Sequence, residues 1–279
     1  MSQHPDSEPP VTVIEPARGW ELPDFGELKS YRDLFYFLVW RDVKVLYAQT
    51  VLGFAWAILN PLMQIVVFTV IFGKVAGIET DGVPYILFST VAIIPWTYMS
   101  EAMTKSSESL VSGQNMLGKV YFPRIVYPLT PVLAKLVDFA ISLVLLAGVM
   151  IWYDVTPTWN LIFLPLMVLL MVIVPSAIGL LLSAFAIRYR DVKFAMPMVI
   201  RMLIYSAPIL YTATAIPEGY RFLYSLNPIV SVIEGFRACL LGGPMPWAYI
   251  LPGAAVAVLM LLGGALYFRR MERVFVDVI

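Results

Sequence analysis

Few residues in this chain have the types and spacing to do chemistry. Gly113 to Lys119 reads Gly-Gln-Asn-Met-Leu-Gly-Lys, the glycine and lysine spacing of a loop that cradles nucleotide phosphates. The next residue is Val120, where that chemistry needs a Ser or Thr hydroxyl to hold magnesium. The segment also follows an apolar stretch rather than a strand, and no acidic strand end completes an ATP site. It reads better as a short amphipathic helix ended by Pro123, of a kind that docks on a soluble partner. His4 is the only histidine and Cys239 the only cysteine, so neither a histidine metal site nor an intrachain disulfide is expected. The acids Glu79, Asp81, Asp154, Glu218 and Glu234 form no paired motif for acid–base catalysis. What remains is Lys135, Asp138 and Arg201, charges set inside long apolar stretches. Each must face a partner, a cavity or the interface. Arg201 admits two readings: an ion pair with Asp138 or simple snorkelling, or a cation lining a hydrophilic path for an anionic head group.

The elements that carry these charges follow from composition. Of 279 residues 60% are hydrophobic and 14% charged, against about 45–50% and 25% in soluble domains. An ordinary soluble enzyme, a disordered regulator and a free nucleic-acid binder are excluded, and 19 bases against 19 acids point to no polyanionic partner. A bilayer core takes about 20 helical residues to cross. Five stretches meet that length, and a shorter sixth begins at Val83. The expected fold is all-α integral membrane, with six spans near 51–72, 83–108, 128–153, 161–187, 194–213 and 249–268. Pro165 and Pro175 are candidate kink points in the fourth.

Placing both termini in the cytoplasm puts 14 of the 19 Lys and Arg residues on that side, as the positive-inside rule requires. Residues 1–30 are Pro-rich and polar, which suggests a disordered cytoplasmic tail rather than a cleavable signal peptide.

Two further helices are too short or too polar to cross. Tyr31 to Ala48 sets Leu34, Phe35, Leu38, Val45 and Leu46 on one side and Arg32, Asp33, Arg41 and Lys44 on the other, which predicts an interfacial helix. Asn227-Pro228 is a helix-start signal, and apolar residues then recur at helical spacing up to Gly242-Gly243-Pro244. That segment predicts a re-entrant or interfacial helix with Glu234 and Arg237 paired at i,i+3 on its polar face. It is either a plug packed between helices or part of a substrate path. Most aromatics sit at span ends as interfacial belts. Trp56, Tyr205 and Tyr211 lie in or near the first and fifth spans, where helix packing or sugar stacking would each account for them.

Arg41-Asp42-Val43-Lys44, Gln49-Thr50-Val51-Leu52-Gly53, Trp56 and Asn60-Pro61 together resemble the first span of ABC-2 type polysaccharide export permeases. The resemblance continues through Val83-Pro84-Tyr85, Pro95-Trp96-Thr97, Asn115-Met116-Leu117, Lys119 to Arg124, Arg188 to Val192, Leu226-Asn227-Pro228 and Glu234 to Arg237. It implies a single transmembrane domain over 31–279 in a bacterial inner membrane. The permease would form a homodimer with two cytoplasmic ABC ATPase subunits and export a lipid-linked polysaccharide, most closely O-antigen. ATP and magnesium would sit on the partner, with no cofactor in this chain and no nucleic acid.

By the same resemblance Gln114, Asn115, Lys119, Tyr121, Phe122, Pro123 and Arg124 would form the coupling segment that docks on the ATPase. Tyr31, Trp40, Arg41 and Tyr47 would belong to the interface helix at the cytoplasmic gate. Trp56, Arg201, Tyr205 and Tyr211 would line the path, and Asn227, Pro228, Glu234 and Arg237 would mark the re-entrant helix. A charge at Arg201 departs from the family pattern. The alternatives are an ABC-2 exporter of a small lipid or drug, and an integral-membrane enzyme acting on lipid-linked sugars.

Overall fold

The computed structural model describes residues 25–48, 52–114, 122–189 and 191–272. Those residues are all-helical apart from turns and irregular links, with no strand among them. In chain order the α-helices are α1 (Phe25–Ser30), α2 (Arg32–Tyr47), α3 (Trp56–Phe68), α4 (Tyr85–Ser112) and α5 (Val126–Trp152). Then follow α6 (Leu164–Arg188), α7 (Val192–Met202), α8 (Arg221–Ser225), α9 (Pro228–Leu241) and α10 (Trp247–Glu272). Helical turns extend α3 from Gly53 to Val75 and α6 from Trp159. Four stretches are long and apolar enough to cross a membrane: Gly53–Val75, Val126–Trp152, Trp159–Arg188 and Trp247–Glu272.

Helix α4 is the hub, packed on by α3, α5, α6, α7 and α9. Its 28 residues give about 42 Å of length. It is enclosed by protein rather than lipid, so it can carry Ser89, Thr90 and Ser106 without exposing them. That enclosure explains why it is less apolar than the helices around it. Helices α4 and α6 approach closely: Ser106 packs where a Cβ on Gly179 would stand, and its hydroxyl donates to the Pro128 carbonyl at 2.6 Å. Pro165 falls in the first turn of α6, where its missing N–H costs nothing, and the helix runs through Pro175 unbroken.

The fifth expected span, 194–213, is not one continuous helix. Helical turns run from Val192 through Leu203–Ser206 and stop, and Ala207 is extended at φ −124° and ψ 158°. Pro208 is the cause, because its ring disfavours helical geometry in the residue before it. Residues Ala207 to Leu210 continue as buried irregular chain. In helix α2 Leu38 is buried and Leu34, Phe35 and Leu46 are partly so, as expected, whereas Val45 is exposed and Val43 is buried instead.

Two apolar clusters organise the bundle. The larger joins α4 to α3, α5, α6, α7, α9 and α10. The smaller lies at the end bearing α2, where Leu38, Leu110, Phe122, Leu180 and Phe268 meet.

Candidate functional site

Helices α3 and α7 both pack on α4 and leave a gap between them. The resulting groove has a volume of about 680 Å³. Asn60, Gln64 and Phe68 line it from α3, Trp96 to Thr104 from α4, and Pro197, Ile200 and Arg201 from α7. A polar groove walled by apolar helices is the arrangement in which intramembrane polar residues become affordable.

Beside the groove lies a charged cluster. Lys135 of α5 places Nζ 2.6 Å from Glu101 of α4 and 2.7 Å from Asp138, one turn along its own helix. The Tyr47 hydroxyl, at the end of α2, donates to the other Asp138 oxygen. The Ser142 hydroxyl lies 2.8 Å from both the Asp138 and Ala57 carbonyls, tying α5 to α3. The Lys135 ammonium thus joins α4 to α5, and Asp138 adds α2 through Tyr47. It also borders a smaller cavity of about 200 Å³, lined by Trp56, Asn60 and Tyr47.

This geometry removes the ion-pair reading of Arg201. Asp138 is taken up by Lys135 and Tyr47, so the Arg201–Asp138 pair does not form. Arg201 is exposed on the groove wall, with no ion pair or hydrogen bond to any described residue. Tyr205, one turn further along, is exposed on the same side of the segment. Tyr211 is half-buried; its hydroxyl donates to the Tyr205 carbonyl and accepts from Tyr224, both at 3.2 Å.

At the α2 end the expected gate residues separate. Tyr31 packs against the smaller cluster, while Trp40 is exposed with the Lys44 ammonium 5.5 Å from its ring centroid. Arg41 bonds Asp42 at 2.8 Å and lines a cavity of about 440 Å³ with Lys105, Glu108 and Tyr127. Partial burial pulls its pKa down, but its bonds to Asp42 and Tyr127 outweigh that and hold it above its ordinary value. In the expected coupling segment Asn115, Lys119 and Tyr121 lie outside the described residues. Gln114 is exposed. Phe122 and Pro123 are buried, with Phe122 stacked on Tyr127, so they anchor the segment to the bundle. The Arg124 amide donates to Glu272 at 3.3 Å.

At the opposite end α9 secures the interrupted chain after α7. Asn227 accepts from the Ile229 amide at 3.0 Å, and Pro228 occupies the first turn, as the cap signal predicts. The Asn227 amide also donates to the Ser206 carbonyl at 3.0 Å. Tyr85 donates to the Leu210 carbonyl at 3.1 Å and Arg237 to that of Ile209 at 3.4 Å. Three carbonyls of the break are therefore satisfied by side chains of α4, of Asn227 and of α9. Glu234 and Arg237 do pair, at 2.9 Å, with Arg237 buried and Glu234 partly buried. The Arg237 guanidinium lies 3.6 Å from the Phe88 ring centroid.

Asn227→Ala should cost about 1 kcal/mol by loss of the cap, and it also frees the Ser206 carbonyl. Asn227→Asp keeps the capping oxygen but not the amide donor. Thermal unfolding of the purified chain should rank wild type above Asp and Asp above Ala.

Glu101, Gln64 and Thr97 have no counterpart among the sequence-derived site residues. Glu101 precedes its partner Lys135 by 34 positions, beyond any local spacing rule. A carboxylate and two polar side chains inside apolar stretches were the available signal.

Residues 33–241 match the family described as ABC-2 type transporter, three quarters of the chain. The chain belongs to that family, which makes it a multi-pass membrane protein of the ABC transporter class. Over 254 residues it is 28% identical to the O-antigen export system permease protein RfbA of Myxococcus xanthus, covering 90% of this chain and 97% of the relative. It is 25% identical over 248 residues to the RfbA permease of Klebsiella pneumoniae, covering 88% and 95%. To the polysialic acid transport protein KpsM of Escherichia coli it is 24% identical over 244 residues, covering 83% and 91%.

Proposed function

We propose that this chain is the membrane-spanning subunit of an ATP-driven exporter that moves a lipid-linked polysaccharide, O-antigen before others, out of the cytoplasm. The observation that carries the reading is the near full-length likeness to O-antigen export permeases. In this reading residues 31–279 form one transmembrane domain and 1–30 a cytoplasmic tail. Six segments cross an inner membrane: the four apolar ones, the enclosed α4, and α7 with the buried chain that follows it. Irregular backbone is tolerated at that depth when protein surrounds it and supplies hydrogen bonds. Both termini face the cytoplasm, as the distribution of Lys and Arg favours. Helix α2 lies in the cytoplasmic interface, and α9, only 14 residues long, is a re-entrant helix on the outer side.

Two copies meet along α3 and α7, where Met63, Val67, Met198 and Met202 are exposed. The groove then becomes part of the wall of a shared path. ATP and magnesium belong to two cytoplasmic ATPase subunits that dock at Gln114 to Arg124. Their closure pushes the coupling segments, which Phe122 and Pro123 fasten to the bundle, and rocks the two permeases.

The test uses inside-out membrane vesicles that carry the ATPase partner and a radiolabelled lipid-linked glycan on their outer, cytoplasmic face. ATP should move the label to a lumen protected from glycosidase only when this chain is present. Equal protection in vesicles lacking the chain overturns the reading.

A further inference from the structure

The groove between α3, α4 and α7 holds a set of polar groups that the protein itself leaves unused. Ser100 and Thr104 spend their hydroxyl hydrogens on the carbonyls of Thr97 and Ser100. Glu101 and Lys135 satisfy one another, and Lys105 is paired with Glu108 at 3.7 Å. Four lining residues remain. Asn60, Gln64 and Arg201 have no hydrogen bond or ion pair to any described residue. The Thr97 hydroxyl is buried and likewise lacks a protein partner. They come from three different helices and converge on one space of about 680 Å³.

We infer that this groove is a binding site for a phosphate or diphosphate group, with Arg201 as its charged receptor. The guanidinium presents a planar fork that fits two oxygens of an oxyanion at once. The Asn60 and Gln64 amides and the Thr97 hydroxyl add donors on the facing walls. A carboxylate that engages the fork keeps lone pairs only near the plane of the guanidinium, away from the facing walls. A phosphate has further oxygens for the facing donors. The carboxylate nearest in the lining, Glu101, is held by the Lys135 ammonium and does not neutralise Arg201. The group can arrive on a lipid or in solution, and both share this chemistry.

The inference rests on the export reading only for its biological setting, and its test needs no transport. The full chain in phosphatidylcholine nanodiscs is titrated with dodecyl phosphate, inorganic pyrophosphate and dodecanoate, using tryptophan fluorescence, since Trp96 lines the groove. Dodecyl phosphate should bind, and Arg201→Gln should weaken it about tenfold or more, with Arg201→Lys intermediate. Gln64→Ala should weaken it a few-fold. Tighter binding of dodecyl phosphate than of pyrophosphate assigns the group to a lipid, and the reverse assigns it to a soluble phosphate. Wild-type affinity in Arg201→Gln, or dodecanoate binding as tightly as dodecyl phosphate, overturns the site. If vesicles show no glycan export while phosphate binding still depends on Arg201, the export reading falls and the site stands.

Discussion

Replacing Lys135 with methionine is expected to destabilise the chain by about 3–5 kcal/mol, the range for removing one partner of a buried ion pair. The Lys135 side chain is only 9% exposed, and both of its carboxylate partners lie within 2.7 Å. Without the ammonium, the largely buried Asp138 must take up a proton or draw in water, while Glu101, 34% exposed on the groove, repels it. The loss spreads to α2, because Tyr47 reaches the bundle through Asp138. Cys239 supplies the readout: it is the only cysteine and is fully buried, so labelling by a thiol-reactive dye during heating reports unfolding. At about 2–4 °C per kcal/mol, the labelling midpoint should fall by roughly 10 °C. Combining Lys135→Met with Glu101→Gln and Asp138→Asn removes all three charges and should recover most of the loss. An unchanged midpoint in the single variant would show that the triad does not bind α4 to α5.

Much of this architecture could be read from local signals, and the failures share one physical origin. The apolar runs placed α3, α5, α6 and α10 because lipid-facing helices must be apolar along their whole length. The Asn227-Pro228 start and the Gly242-Gly243 stop bounded α9, since capping and positive φ (83° and 94° at the two glycines) are properties of a few neighbouring residues. Hydropathy carried the fifth segment past Ser206 because the apolar run continues, although the Ala207-Pro208 step marks where the helix stops. The enclosure of Glu234 and Arg237 was hidden for a different reason. Their i,i+3 spacing announces the pair, but Phe88 and the Ile209 carbonyl, which enclose it, come from remote parts of the chain. The same holds for Glu101 and Lys135. Contacts across the bundle depend on helix packing, which no residue spacing within one helix encodes.

Arg237→Met is the counterpart prediction at the other end of the molecule. Arg237 is 8% exposed, bonds Glu234 at 2.9 Å and the Ile209 carbonyl at 3.4 Å, and covers the Phe88 ring. Methionine can keep contact with the ring, so the cost falls on Glu234, left partly buried without its cation, and on a carbonyl that loses its donor. The expected loss is again about 3–5 kcal/mol, and it should be local before it is global. Cys239 lies two residues away on the same helix, so its labelling at room temperature should accelerate well below the melting midpoint. Adding Glu234→Gln removes the stranded carboxylate and should restore slow labelling in large part, with a coupling of about 0.5–3 kcal/mol in a double-mutant cycle. The two variants also separate stability from transport. If α9 merely plugs the bundle, the neutral double variant should export at the wild-type rate once folded. If α9 moves with the interrupted segment it holds, export should stay low although Cys239 is protected, because the Ile209 carbonyl still lacks its donor.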